Sequence, residues 1–156
     1  MKVCLLCIQA KPPSWLKEFE RELSSRISLF CDFEIKHLKP TRKGRRQSED
    51  KKAEESESLL AALQPRDFVV AFDEKGKSFD SKNFAATLEK CFASGAGRYV
   101  FLIGGAFGLS NELLARSQIR VSLSAMTFNH LLAEAVALEQ IYRAFTILHN
   151  KPYHNE

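Results

Sequence analysis

Two uninterrupted apolar runs, "DFVVAFD" at 67–73 and "RYVFLIGG" at 98–105, constrain the fold more than any other feature of the chain. Neither alternates with polar residues. Strands of that kind are covered on both faces, which happens in parallel sheets flanked by helices. The segments between them carry helical spacing. "SWLKEFERELSSRI" repeats apolar residues at Trp15, Phe19, Leu23 and Ile27 behind Pro13, with Ser14 as the expected N-cap. "SEDKKAEESESLLAAL" opens with Glu49 and Asp50, where the helix dipole favours acids, and stops before Pro65. Phe84, Leu88 and Cys91/Phe92 form a further helical stripe, ended around Gly95 and Gly97. "SNELLARS" reads as a short helix capped by Ser110, and 129–149 as a long one. "KVCLLCI", "FEIKHL" and "IRVSL" read as three more strands. Strands alternating with helices give an α/β class: a largely parallel sheet flanked by helices, in one domain over 1–156 with no internal boundary.

No run approaches the roughly 18 apolar residues of a membrane span. The opening "MKVCLLCIQAKPP" has too short an apolar run for a signal peptide and lacks a small-residue cleavage site, so a cytosolic protein is expected. Cys4 and Cys7 are three apart on a strand and so point to opposite faces. No second pair at zinc spacing follows, so Cys4, Cys7, Cys31 and Cys91 read as buried free thiols, with neither a metal nor a membrane partner expected. The net charge of +4 is uneven: "KPTRKGRRQ", 39 to 47, carries five basic residues and no acid, so the rest of the chain sums to −1. By itself such a run is either a solvated loop or a phosphate-binding one.

In open parallel sheets, ligands bind beyond the carboxyl ends of the strands. Three segments end there with small or flexible residues: Phe72-Asp73, the run Gly104-Gly105-Ala106-Phe107-Gly108, and Ser122 to Phe128. The glycine run is G-G-x-x-G, not a dinucleotide fingerprint, and a plain tight turn explains it equally well. Ser124 and Thr127 read either as turn formers or as ligand contacts, and Met126 and Phe128 as core or as pocket wall. The coincidence of three such bends at one sheet edge favours a ligand site.

"FLIGGAFGLS", "SLSAMTFNH", "EQIYRAF" and the terminal "NKPYHNE", in that order over nearly the whole chain, resemble the RlmH family, small SPOUT-class methyltransferases of bacterial large-subunit ribosomal RNA. The resemblance implies a sheet whose C-terminal segment is threaded into a trefoil knot. It implies S-adenosylmethionine as cofactor, contacted by Phe72 (usually a leucine), Gly104, Leu123, Ser124, Ala125, Met126, Thr127 and Phe128. Backbone groups of 123–128 would bond the adenine while the loop stays packed in the core. The implied reaction is methylation of N3 of a pseudouridine in helix 69 of 23S rRNA, on the assembled 70S ribosome, by a cytoplasmic homodimer whose site is completed across the interface. Candidate catalytic residues are His154, Tyr153, Arg143, His130 and Glu139. A histidine such as His154 titrates near neutrality and suits proton transfer. Arg143 suits an anion or a phosphate. Plainer readings stand beside these: a Glu139–Arg143 ion pair four apart, a frayed tail, and His130 as a helix cap. Arg42, Lys43, Arg45 and Arg46 are the candidate RNA contacts.

The helix over 129–149 carries apolar residues too widely spread for one face, which suggests burial by the sheet and by a second subunit, with a wholly internal helix as the plainer alternative. Two positions depart from the family. Glu134 stands where an arginine is usual, and is expected to reverse a charge near the cofactor and RNA site; Asn155 stands where Arg or Lys usually follows Tyr-His. Both remove positive charge. They leave open a non-catalytic RNA-binding protein of the same fold, or a methyltransferase with another RNA target.

Overall fold

The computed structural model describes residues 1–41 and 48–154. Ten elements alternate: β1 (Lys2–Ile8), α1 (Ser14–Ile27), β2 (Asp32–Leu38), α2 (Ser48–Ala62), β3 (Asp67–Ser78), α3 (Ser81–Phe92), β4 (Arg98–Ile103), α4 (Asn111–Arg116), β5 (Ile119–Ser122) and α5 (His130–Leu148). The strands form one sheet in the order β2-β1-β4-β3-β5, and every pair is parallel.

Alternate residues of the apolar runs supply two cores. Val3, Leu5 and Cys7 of β1 pack with α1, α3 and α5 on one face, whereas Cys4, Leu6 and Ile8 pack with α2 and α4 on the other. The two cysteines therefore point apart, as their spacing requires. Burial raises the thiols of Cys4 and Cys31 to about 11, and those of Cys7 and Cys91 also lie above the ordinary value. Cys4, Cys7 and Cys91 are buried and Cys31 is half-buried. On the α1/α3/α5 side, Phe145 stacks on Phe30 and Phe92 at centroid distances of 5.8 and 5.6 Å. Each such buried side chain contributes roughly 1.5–3 kcal/mol.

The starts of β3 and β4 are tied together. Arg98 donates Nε and Nη2 to the two carboxylate oxygens of Asp67 at 3.1 and 2.7 Å, and Nη2 also reaches the Ala62 carbonyl at 3.1 Å. A fork donating to a buried carboxylate also ends α2 at a defined height against the sheet.

The structure departs from expectation in three places. Pro13, not Ser14, is the N-cap of α1, without a side-chain cap; Ser14 is the first helical residue. β3 does not stop at Asp73 but runs on to Ser78, because β5 captures its far half: Val121 faces Phe72 and then Lys77 across a bulge. α5 also lies between α1 and α3 of its own chain, so much of its broad apolar surface is covered without a second subunit. The basic residues Arg42, Lys43, Arg45 and Arg46 lie outside the described residues.

Candidate active site

The chain leaving β3 runs to α3 on one face of the sheet, and the chain leaving β4 runs to α4 on the other. A crevice opens between strands whose connections part in this way. Here it is a cavity of about 580 Å³, and its walls include Phe72, Gly104, Phe107, Thr127, Phe128 and His130. The glycine turn forms one wall. Gly108 N–H donates to the Gly105 carbonyl at 3.0 Å, and Gly108 has φ +75°, a left-handed conformation that favours glycine. A Cβ on Gly104 would lie 2.8 Å from the Gly108 carbonyl group, and one on Gly105 would collide with the Glu55 carboxylate of α2. Ser56 Oγ, also on α2, accepts from Ser110 N–H at 2.8 Å where α4 begins. The glycine run is thus a tight turn and a cavity wall at once.

The segment after β5 forms the opposite wall. Ser122 Oγ donates to the Ser124 carbonyl at 3.0 Å, and Ser124 Oγ accepts from Met126 N–H at 2.9 Å. Ser124 is therefore a turn former. A smaller adjoining cavity of about 120 Å³ is bounded by Phe72, Leu123, Ser124, Met126, Thr127 and Phe128; Ala125 borders neither cavity. The expectation of a packed loop does not hold within one chain. Ala125, Met126 and Thr127 are exposed, Met126 by 76%, because no other segment of the described chain covers the end of β5. Asn129, not His130, caps α5: its Oδ1 accepts from Leu132 N–H at 3.0 Å. His130 is left facing the crevice.

Charged residues that sequence reasoning did not select also line the crevice: Lys52, Glu74, Lys75 and Arg120. Arg120 Nη2 is 2.7 Å from Asp73 Oδ2. They come from three elements, Lys52 from α2, Glu74 and Lys75 from β3 and Arg120 from β5, and share no motif, so only tertiary packing reveals them together.

The other four candidate catalytic residues gather elsewhere. Glu139 Oε1 accepts from Arg143 Nη2 at 2.6 Å, from Arg143 Nε at 3.1 Å and from the Tyr153 hydroxyl at 3.0 Å. The Arg143 guanidinium also lies over the Tyr153 ring, 4.8 Å from its centroid. The bond to Glu139 raises the Arg143 pKa, while burial, and then that same carboxylate, raise the Tyr153 phenol. The helix ion pair and the ordered tail are therefore one assembly. Arg143 Nη1 lies 3.3 Å from His154 Nδ1. A guanidinium can only donate, so Nδ1 accepts and the neutral ring carries its proton on Nε2. In this arrangement His154 offers a donor rather than the proton acceptor expected for it. His154 borders a separate cavity of about 490 Å³, with Ser81, Val121, Leu123 and Gln140. Leu123 is in the walls of both this cavity and the small one beside the crevice. Among the described residues, Leu123 thus links the cavity at His154 to the crevice side.

Glu134 lies away from the crevice. Its side chain is 1% exposed and points between β2 and α1, where Oε1 is 2.7 Å from His37 Nε2. The expected reversal of charge beside the cofactor and RNA site is therefore corrected: α5 turns this carboxylate inward.

This fold and crevice define an α/β methyltransferase of the SPOUT class: residues 1–154 match the family described as "Predicted SPOUT methyltransferase", and the chain belongs to that family. Its relatives include proteins named "Ribosomal RNA large subunit methyltransferase H" from Bdellovibrio bacteriovorus, 41% identical with 99% of each chain covered, and from Chromobacterium violaceum, 41% identical with 100% of each covered. A solved structure of a probable methyltransferase from Bordetella pertussis shares the fold at TM-score 0.57 and 14% identity, covering 92% of this chain and 96% of that one. No helix among the described residues is long and apolar enough to cross a membrane.

Proposed function

We propose that this protein transfers a methyl group from S-adenosylmethionine to N3 of a pseudouridine in helix 69 of 23S rRNA, on the assembled 70S ribosome in the cytoplasm. The observation carrying this reading is the crevice at the carboxyl ends of β3 and β4, closed by the loop after β5, in a chain whose full-length relatives bear the name of a large-subunit rRNA methyltransferase.

The residues fit the cofactor. Phe72, Leu123, Met126 and Phe128 offer apolar walls for a purine, Gly104 leaves backbone open to close approach, and Thr127 adds a polar group. Glu74 places a carboxylate in the crevice wall, while Asp73 is paired with Arg120. Bound there, S-adenosylmethionine supplies a methyl on a sulfonium that departs as a neutral thioether. The chain's own residues hold the nucleobase in line with that methyl, the proximity contribution to catalysis. The pseudouridine N3 attacks after giving its weakly acidic proton to solvent water, and His154 Nε2–H together with Arg143 stabilises the resulting imide anion. Tyr153 and Glu139 hold these two groups in place.

His154 of the tail borders a cavity separate from the crevice within one chain, which supports a homodimer in which the tail of one copy completes the crevice of the other, within the trefoil-knotted arrangement of the family. Arg42, Lys43, Arg45 and Arg46 supply the cations that neutralise RNA phosphates.

The test is methyl transfer from labelled cofactor to 70S particles and to naked rRNA, beside calorimetric cofactor binding. His154→Ala is expected to lower kcat on the order of 10²-fold with cofactor affinity retained. Equal turnover in the variant removes the tail from the chemistry. Absence of cofactor binding in the parent protein leaves a non-catalytic RNA-binding role.

A further inference from the structure

Four elements direct polar side chains to one point on the side of α5 away from the crevice. Cys7 and His37 are cross-strand partners in the β1–β2 ladder and so share a face. Glu134 comes from α5, just past its first turn, and the ligand-capable atoms of Cys7, His37 and Glu134 all lie within 4.8 Å of one another. Glu20 of α1 completes the group, with Oε1 3.2 Å from His37 Nε2. That Glu20 oxygen is buried, and the 3.2 Å ion-pair contact to His37 leaves it without a well-aligned hydrogen bond among the described residues. Two carboxylates and a thiol thus share one imidazole, and a single proton on the ring balances one of them. Burial, followed by the hydrogen bond to Glu134, raises the Glu20 carboxyl to about 7. The hydrogen bond to Glu134 raises His37.

We propose that Cys7, His37, Glu134 and Glu20 form a structural site for a divalent metal of the zinc type. One thiolate, one imidazole and two carboxylates are a borderline-soft set; calcium and magnesium take oxygen ligands only. A tetrahedral zinc needs its ligand atoms ~3.3–3.6 Å apart, given bonds of about 2.0–2.3 Å. Reaching this from the present arrangement requires parting His37 and Glu134 and drawing in the thiol, motions within side-chain rotation. The four protein ligands fill the coordination sphere, so the ion is structural rather than catalytic. His37 and Glu20 side chains keep 20% and 13% exposure, which gives the ion an entry path. The ion displaces the thiol and imidazolium protons. It pins the first turn of α5, which carries His130 and Ala133 in the crevice wall. The sequence gives no hint of it, because its ligands are scattered over 7–134 without the close spacing of zinc motifs.

The experiment uses the full chain stripped with a chelator and titrated with zinc against a chromophoric competitor, with cobalt as the spectroscopic probe. Expected are one equivalent per chain and a thiolate-to-cobalt charge-transfer band with tetrahedral visible bands. At about 100-fold excess of free zinc over Kd, Tm rises by roughly 5–10 °C. Cys7→Ser abolishes the charge-transfer band. Glu20→Gln, at the more exposed edge and tolerable to the fold, weakens zinc binding by at least about tenfold. No stoichiometric uptake, a band that survives Cys7→Ser, or unchanged affinity in Glu20→Gln overturns the site. The metal test is independent of the methyl-transfer reading.

Discussion

Glu55 is the least comfortable residue of α2. It is 6% exposed, one carboxylate oxygen has no hydrogen-bond partner among the described residues, and that oxygen sits against Gly105. Burial raises its pKa, and the Thr41 backbone N–H opposes this only in part. The folded chain therefore holds this proton more tightly than the unfolded chain. Its share of stability is present below the ordinary carboxyl value of 4.5 and is lost as pH rises through the raised folded value. Glu55→Gln, followed by denaturant melts across that window, is expected to flatten the decline and to match or exceed the parent's stability at neutral pH. A steeper decline in the variant contradicts this. Glu139 shows the opposite economy: three donors converge on one of its oxygens, and the tail is ordered by that convergence. Pairing of Glu139 with Arg143 was legible from their i,i+4 spacing. The third donor was not, because Tyr153 returns to α5 only after the chain turns beyond Asn150, whose φ is +51°.

Among the elements, β3 is the one whose length decides the site. Its far half carries Asp73, Glu74 and Lys75 into the crevice wall and then rejoins β5. Gly76 permits this approach: a Cβ there would stand 2.7 Å from backbone atoms of Arg120 and Val121. Backbone cannot swing aside as a side-chain tip can. Gly76→Ala is expected to destabilise the fold by about 1–3 kcal/mol and to weaken cofactor binding as β5 is pushed away, read by thermal melts and calorimetry. Unchanged values on both measures would show that β5 yields freely. The helices were easier to foresee. Asp80, Ser110 and Asn129 each accept a backbone N–H at a helix start, and Ser110 was legible from local sequence alone. Ser14 was misassigned because Pro13 already has the extended conformation of a cap and no capping hydroxyl is used.

For the molecule as a whole, the unresolved business of the surface lies around the start of α5. Met126 and Leu132 are 76% and 46% exposed on either side of the crevice-lining Thr127 to His130. Leu132→Arg is expected to shift the protein from dimer to monomer in light scattering and to lower methyl transfer more than cofactor affinity. A dimer that persists with full turnover places the interface elsewhere. The proposed phosphate contacts of the basic run 39–47 belong to the same scale. Reversing Arg45 and Arg46 to Glu is expected to weaken ribosome binding and to reduce the slope of log affinity against log salt by roughly 1.5 or more. An unchanged slope returns the loop to solvent.

Hydrophobic periodicity is a local property, and by itself it determined the alternation of strands and helices and the doubly buried strands. The motif segments determined the family by order and spacing. Strand order, the extension of β3 along β5 and the separation of tail from crevice were decided by the tertiary structure. So was the inward turn of Glu134 toward His37, which converted an apparent surface charge into a buried partner. These depend on which distant segments share one buried face, and that choice is made by the packing of the whole core rather than by any window of residues.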